Sequence, residues 1–337
     1  MPVSPRSSCR CIKDMINTGN AVKRVLALVI IFSVLFFFYR SFQGNWASIR
    51  SHALRPDYLY LGLSFVCIFI TSLLATYGWH LALNALSRVS KITFFQSVAT
   101  VNTSGLTKYV PGKVWSYALQ MYWLANAGFS KSLIVYVNLV NLSISIITSL
   151  IVGLGYLLSY PEVFPVVLIF PLLLILVLID IIFIKFNAPV TNGVISLVNR
   201  RLNRDIKYFD ISHALLIYLH LVHFLAALCF GLGAYLLCFG IGFVVAPDRM
   251  LLVMSSLLVS DVIGFLAVIV PGGLGVREGV MYLMLHNVST GALSLILPIA
   301  SRIVSMVVDV VLGTIAFVML RRFNGSRKIK GNACTTD

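Results

Sequence analysis

Six stretches of this chain, at about 22–40, 57–83, 131–159, 163–186, 212–243 and 290–320, are long and apolar with few charges, each near the roughly 20 residues an α-helix needs to cross the hydrocarbon of a bilayer. Lipid offers no hydrogen bonds to a bare peptide group, so such a chain can cross it only as helices that satisfy their own backbone. Hydrophobic residues make up 59% of the 337 and charged ones 11%, which excludes a soluble globular domain. The fold class is an all-α polytopic membrane protein.

Two further apolar regions, 94–126 and 250–287, are broken in the middle by Pro111-Gly112 and by Pro271-Gly272-Gly273. Proline removes a backbone donor and glycine weakens a helix. Each region therefore reads as a re-entrant hairpin of two half-helices, whose freed backbone must be buried in protein or line a watery cavity. Charge favours hairpins over single crossings. With hairpins, the basic tail before residue 25, the loop with Arg88 and Lys91, Lys131, the cluster Arg200, Arg201, Arg204 and Lys207, and the C-terminal Arg321, Arg322, Arg327, Lys328 and Lys330 share the cytoplasmic side. Glu162 and the neutral 287–292 loop face the opposite side. Arg50 and Arg55 disagree, but single crossings would export the cluster at 200–207, a larger violation. The expected architecture is six spanning helices plus two re-entrant hairpins, with both termini cytoplasmic.

Laying the chain over itself so that Leu106 falls on Leu266 also places Val110, Pro111, Gly112, Met121, Tyr122, Ser145 and Gly153 on Val270, Pro271, Gly272, Met281, Tyr282, Ser305 and Gly313. The chain then divides into a cytoplasmic tail at 1–21, a first membrane repeat at 22–159 broken at Pro111-Gly112, a second at 160–320 broken at Pro271–Gly273, and a basic tail at 321–337. Three crossings per unit is odd, so the second repeat is inverted relative to the first. Inverted repeats with broken helices near the bilayer midplane are a common transporter plan.

Ionisable groups inside spanning segments cost about 2.5 to 3.5 kcal/mol on insertion scales, and are functional candidates for that reason. Lys108 and Lys113 flank the first break, where they read either as an anion site or as snorkelling cations; Trp115 and Tyr117 beside them read as interface anchors. Arg277 follows Gly273 and Gly275 at the start of a half-helix whose dipole repels a cation, so it needs compensation. Glu278 suits that dipole but points to another side of the helix, leaving Asp261, Asp309 or a bound anionic headgroup. Arg302, Ser305 and Asp309 form one stripe on the last span, and Asn138, Asn141, Ser145 and Thr148 form its counterpart in the first repeat.

Two such stripes facing two broken hairpins outline a hydrophilic path; bundle packing through interhelical hydrogen bonds is the other reading. The candidate substrate contacts are thus Lys108, Pro111, Gly112, Lys113, Pro271, Gly272, Gly273, Gly275, Arg277, Glu278 and Arg302. Asp261 and Asp309 would balance charge, and Asn138, Asn141, Ser145 and Ser305 would line the path. Asp180, ahead of Lys185, reads as interfacial, while His220 and His223 read either as proton relays or as polar packing groups.

Other chemistries find no support. The net charge of +15 is accounted for by cytoplasmic loops and tails, so no nucleic-acid partner is expected. Cysteines at 9, 11, 67, 229, 238 and 334 show no CxxC spacing and no nearby histidine cluster, so no metal or other cofactor is expected, and Cys9 and Cys11 read as inert cytosolic thiols. Residues 25–39 behind Lys23-Arg24 resemble a signal-peptide core without a cleavage site before Arg50, and read as a retained anchor. There is no G-x-S-x-G, H-E-x-x-H or P-loop motif, and the longest soluble loop, about 187–211, is too short for a catalytic domain. No catalytic residues are assigned.

The run Pro271-Gly272-Gly273-Leu274-Gly275-Val276-Arg277-Glu278, preceded by Lys108-Tyr109-Val110-Pro111-Gly112-Lys113-Val114-Trp115, resembles the lysylphosphatidylglycerol synthase transmembrane region family, also called flippase-like domain proteins. The resemblance spans roughly 20–322 and implies translocation of a polar-headed lipid between leaflets of a bacterial cytoplasmic membrane. In bifunctional relatives a soluble aminoacyl-transferase domain follows, whereas only a short basic tail, 321–337, follows the last span here, so lysyl-lipid synthesis is not implied. Lys113 and Trp115 stand where the second motif has Gly273 and Gly275, a departure that resembles stand-alone members tied to cell-surface polysaccharide or other lipid-linked pathways.

The expected partner is therefore a membrane lipid or lipid-linked saccharide with an anionic or phosphate-linked headgroup, received by Lys108, Lys113, Arg277 and Arg302. The alternative is a non-transporting scaffold for an envelope-biosynthesis enzyme, with the basic loop at 187–211 as its docking surface. An intramembrane transferase using Glu278 or Asp309 as base lacks a nucleophile.

Overall fold

The computed structural model describes residues 55–87, 90–109, 115–161, 164–202, 209–267, 273, 275–286 and 291–333, and every regular element among them is helical. In chain order these are α1 (Tyr58–Leu86), α2 (Phe94–Gly105) continuing into a 3-10 turn (Leu106–Tyr109), α3 (Trp115–Ala125), α4 (Lys131–Leu157), α5 (Val166–Leu202), α6 (His213–Gly240), a 3-10 turn (Pro247–Arg249), α7 (Met250–Leu266), α8 (Val276–His286) and α9 (Gly291–Ala333).

The starts of the long helices are written locally. Asp57 accepts from the Leu59 and Tyr60 N–H groups, Ser130 from Leu133 and Ser212 from Leu215, while Thr93 and Gln96 close a reciprocal capping box at α2. Each cap satisfies donors that a helix leaves open at its first turn.

Six described helices are long and apolar enough to cross a membrane: α1, α4, Val166–Asn187 of α5, α6, Pro247–Leu266 and Gly291–Met319 of α9. Five coincide with expected spans; the sixth expected one, 22–40, lies outside the described residues. The sixth observed is α7 with its leading turn, expected as the first arm of a hairpin whose second arm is too short to cross. At 20 residues it reaches about 30 Å, and only its partner α8, 11 residues or about 16 Å, is too short to cross. Likewise α2 and α3, of 12 and 11 residues, are each about 16 to 18 Å long and cannot cross alone. Both breaks fall where expected, between α2 with its turn and α3, and between α7 and α8.

The supposed loop at 187–211 is another correction, because α5 continues to Leu202 past a kink at Phe186 (φ −115°, ψ 23°). Pro189 supplies the cause: its ring displaces the carbonyl four residues earlier, at Lys185, and His213 Nε2 lies 3.4 Å from that oxygen.

Under the displacement found in the sequence the starts of α1 and α2 fall five and four residues beyond those of α6 and α7, while two other starts agree more closely. The displacement carries the start of α4, Lys131, onto that of α9, Gly291, and Trp115 of α3 to within one residue of Val276 of α8. Packing follows the same exchange: α2 lies against α9, α7 against α4, and α1 against α6. Gly153 and Gly313, a corresponding pair, are the close-approach points. A β-carbon on Gly153 would meet Val259 at 2.9 Å, and one on Gly313 would meet Leu106 at 2.6 Å. Small residues allow such contact where lipid supplies no hydrophobic drive between helices. Ser255 Oγ adds a 2.7 Å hydrogen bond to the Gly153 carbonyl.

Two apolar cores result, at opposite ends of the shared helices. One gathers Trp79, Leu83, Ile134, Ile144, Leu216 and Leu219; the other gathers Leu154, Leu157, Leu237, Leu252, Leu257, Met281 and Leu297.

Candidate functional site

Between the two cores lies polar space. A cavity of about 220 Å³ is lined by Thr71, Ser72, Ser145, Ser149, His223, Asp261, Arg277, Ser305 and Asp309, with Phe230 and Leu258 among its apolar walls. A second, of about 250 Å³, is lined by Thr76, Trp79, Asn102, Gly105, Asn138 and Asn141. They share Ser72, Ala75 and Asp309, so the two spaces adjoin. Depth follows from helix geometry. Ser72 is the central residue of α1, and Ser145, Ala226 and Ser305 lie within a residue or so of the centres of α4, α6 and Gly291–Met319. Since a helix rises by the same step at every residue, the first cavity sits at mid-height of four spanning helices.

The glycine-rich segment explains how Arg277 reaches it. Gly273 and Gly275 have φ of +65° and +84°, the left-handed region that side chains resist. A β-carbon on Gly273 would run into the Gly264 carbonyl, and one on Gly264 would stand 2.8 Å from the Arg277 β-carbon. The chain thus folds back hard against α7 and delivers Arg277 beside Asp261, one turn before Gly264. Arg277 Nη1 donates to Asp261 Oδ1 at 2.9 Å. Its Nε and Nη2 are buried with no hydrogen-bond partner, and its guanidinium stands 5.9 Å from the Phe230 ring centroid.

Glu278 turns the other way, as its adjacent position requires. Its Oε2 accepts from the Gly275 N–H at 2.6 Å and its Oε1 from Arg302 Nη1 at 2.5 Å. With side chains 8% and 14% exposed, this pair ties the start of α8 to α9. The tie between α3 and α4 is neutral: Asn138 Nδ2 donates to Gln120 Oε1 at 2.8 Å, and Gln120 Nε2 to Ser104 Oγ of α2 at 2.9 Å.

The structure therefore brings Asp261, Arg277, Asp309, Asn138, Asn141, Ser145 and Ser305 to the two cavities. Glu278 and Arg302 form a separate ion pair, and neither lines the two cavities. Pro111, Gly112, Lys113, Pro271 and Gly272 lie outside the described residues, as does the side chain of Lys108. Sequence reasoning missed Gln120, Ser104, Thr71, Ser72, Ser149 and Asn102, because single hydroxyls and amides are common in spanning helices.

It also placed Asp180 at the interface, whereas Asp180 Oδ1 is bonded to His220 Nε2 at 2.9 Å with both side chains 15% exposed. The available signal was that Asp180 is the lone polar residue in 166–184. Among the described residues no group of three His, Cys, Asp or Glu side chains could hold a metal.

The profile of the family described as lysylphosphatidylglycerol synthase TM region matches residues 24–313, most of the chain. No curated protein and no solved structure matches significantly. The chain belongs to that family, as a multi-pass membrane protein.

Proposed function

We propose that this member of the lysylphosphatidylglycerol synthase TM region family moves a lipid with an anionic or phosphate-linked headgroup between leaflets of a bacterial cytoplasmic membrane, as a carrier and not as an enzyme. Family membership ties it to membrane lipid. The observation that carries the finer reading is Arg277, a cation at mid-membrane height lining a polar cavity, with two guanidinium nitrogens, Nε and Nη2, lacking a protein partner. A phosphate or carboxylate accepts such a fork in two parallel bonds.

The headgroup would occupy the adjoining cavities, with Asp261 holding Arg277 when the site is empty, while the acyl tails stay in lipid. The correspondence of elements between the two halves and the exchanged packing support two inverted units with re-entrant hairpins, rocking about this site. The basic C-terminal tail and the Arg200 cluster support cytoplasmic termini.

The test is reconstitution of the full chain into vesicles carrying fluorescent phosphatidylglycerol or a labelled polyprenyl phosphate, with chemical quenching of the outer leaflet. Exchange faster than in protein-free vesicles supports the reading; equal rates for both probes remove it.

A further inference from the structure

One series of titratable side chains reaches the headgroup site from one end of the bundle. It runs from α5 through α6 to the cavity. Asp180 interrupts a run in which every other residue from 166 to 184 is apolar, a placement expensive enough to call for a function or a partner.

Its partner fixes the protonation chemistry. His220 Nδ1 lies 2.7 Å from the Leu216 carbonyl, an oxygen that can only accept, so Nδ1 carries a hydrogen. His220 Nε2 lies 2.9 Å from Asp180 Oδ1, and that bond also needs one proton, held either by the imidazole or by the carboxyl group. One turn further along the same face of α6, His223 Nε2 lies 3.0 Å from Asn141 Oδ1. The carboxamide oxygen accepts, which leaves His223 Nδ1 as the basic nitrogen. His223 lines the first cavity and Asn141 the second.

Depth orders these groups. His220 is seven residues from the start of α6 and Asp180 seven from Asn187, the end of its span, so both lie about 10 Å in from the same end of the bundle. His223 is about 5 Å deeper, at the cavity. Among the described residues, the charged and titratable groups around this series are Asp180 on α5, Asp261 on α7, Arg277 on α8 and Asp309 on α9. The uncharged Gly78 of α1 lies against both Asn141 and His223. The correspondence between the two halves puts Tyr60 and Leu63 opposite the two histidines, so the series serves one end only.

We propose that Asp180, His220 and His223 form a one-sided proton branch into the headgroup site, so that each anionic lipid crosses with a proton. The inference rests on the translocation reading. Its physical reason is that carrying a lone negative charge through hydrocarbon is costly, whereas a proton taken up with it leaves the moving complex neutral. The proton enters at the Asp180–His220 bond, passes to His223 Nδ1 and then to a cavity carboxylate or the headgroup; it leaves with the lipid on the far side. No bond other than those to hydrogen is made or broken.

The experiment uses full-length protein in vesicles of phosphatidylcholine with fluorescent phosphatidylglycerol and an entrapped pH dye. For one proton per lipid, a gradient of about one pH unit sustains about a tenfold leaflet asymmetry. Asp180→Asn keeps the shape and a hydrogen-bonding group while removing the titrating carboxyl; His220→Gln removes the base. The expected result is that both variants, folded as judged by gel filtration, still exchange lipid without a gradient but more slowly than wild type, because the headgroup then crosses without its proton, and lose the gradient-driven asymmetry and the lipid-dependent dye signal.

Wild-type exchange indifferent to the gradient overturns the branch, as do variants that keep the asymmetry. Should either variant fail to fold, the other decides. Should wild type exchange no lipid, the translocation reading fails, and a dye signal identical in wild type and Asp180→Asn vesicles overturns the branch on its own.

Discussion

Replacing Arg277 by glutamine separates a lipid-handling role from a structural one. In the structure Arg277 spends one guanidinium nitrogen, Nη1, on Asp261 and has the two others, Nε and Nη2, without a partner. Hydrogen bonds to charged groups contribute about 1.5 to 3 kcal/mol each, against about 1 for a neutral amide. Exchanging a forked, charged contact for one neutral donor should therefore remove roughly 2 to 5 kcal/mol of headgroup stabilisation, a fall in exchange rate of about 30- to 5,000-fold.

Folding should survive Arg277→Gln at a cost of about 1 to 3 kcal/mol, since the Arg277 side chain is 13% and the Asp261 side chain 46% exposed, which sets the pair between an open one, under about 1 kcal/mol, and a buried one, about 3 to 5. Lysine, which keeps the charge but loses the fork, should fall between. The measurements are leaflet exchange of fluorescent phosphatidylglycerol and thermal unfolding in detergent. Exchange within about threefold of wild type, less than about 1 kcal/mol, would refute the reasoning, as would slow exchange accompanied by gross unfolding.

The ion pair between Glu278 and Arg302 predicts the opposite balance. Removing one member of a buried pair costs about 3 to 5 kcal/mol, and losing the Glu278 contact to the Gly275 N–H adds about 1. Glu278→Ala should unfold far more easily than wild type in a denaturant series, and Glu278→Ala combined with Arg302→Met should recover most of the loss. Gly313→Leu should destabilise by about 1 to 3 kcal/mol through overpacking against Leu106, visible as a lower unfolding temperature, and Gly153→Leu should do the same against Val259. In a background without native cysteines, Leu106→Cys paired with Gly313→Cys should cross-link on mild oxidation, read as a mobility shift; a chain that never cross-links would contradict the packing of α2 and its turn on α9.

Much of this molecule was legible because membranes make sequence speak in one dimension. The caps at Asp57, Ser130 and Ser212, the apolar runs and the proline- and glycine-rich breaks act on their own neighbours, so their consequences can be read along the chain. Even the close contacts at Gly153 and Gly313 left a trace, as one of the pairs that superimpose when the two halves are laid together. The kink at Phe186 was also local in cause, since Pro189 follows three residues later, but its outcome was not: a helix continuing to Leu202 instead of a loop.

What the chain could not show was who faces whom. Asp261, Asp309 and a headgroup were all open partners for Arg277, and the fold-back at Gly264 settled the matter by placing Asp261 one turn away from the contact. Arg302 shares a helical stripe with Ser305 and Asp309 yet pairs with Glu278, away from the cavity residues, while Asp180 and His220, on different helices, meet because α5 lies along α6. By itself the sequence determined the helices, their breaks and the family. Tertiary structure alone decided the ion pairs, the shared polar cavity and its depth, because hydropathy and helix propensity are sums over neighbours, whereas a charge inside a membrane is satisfied by whatever the packing of distant helices sets against it.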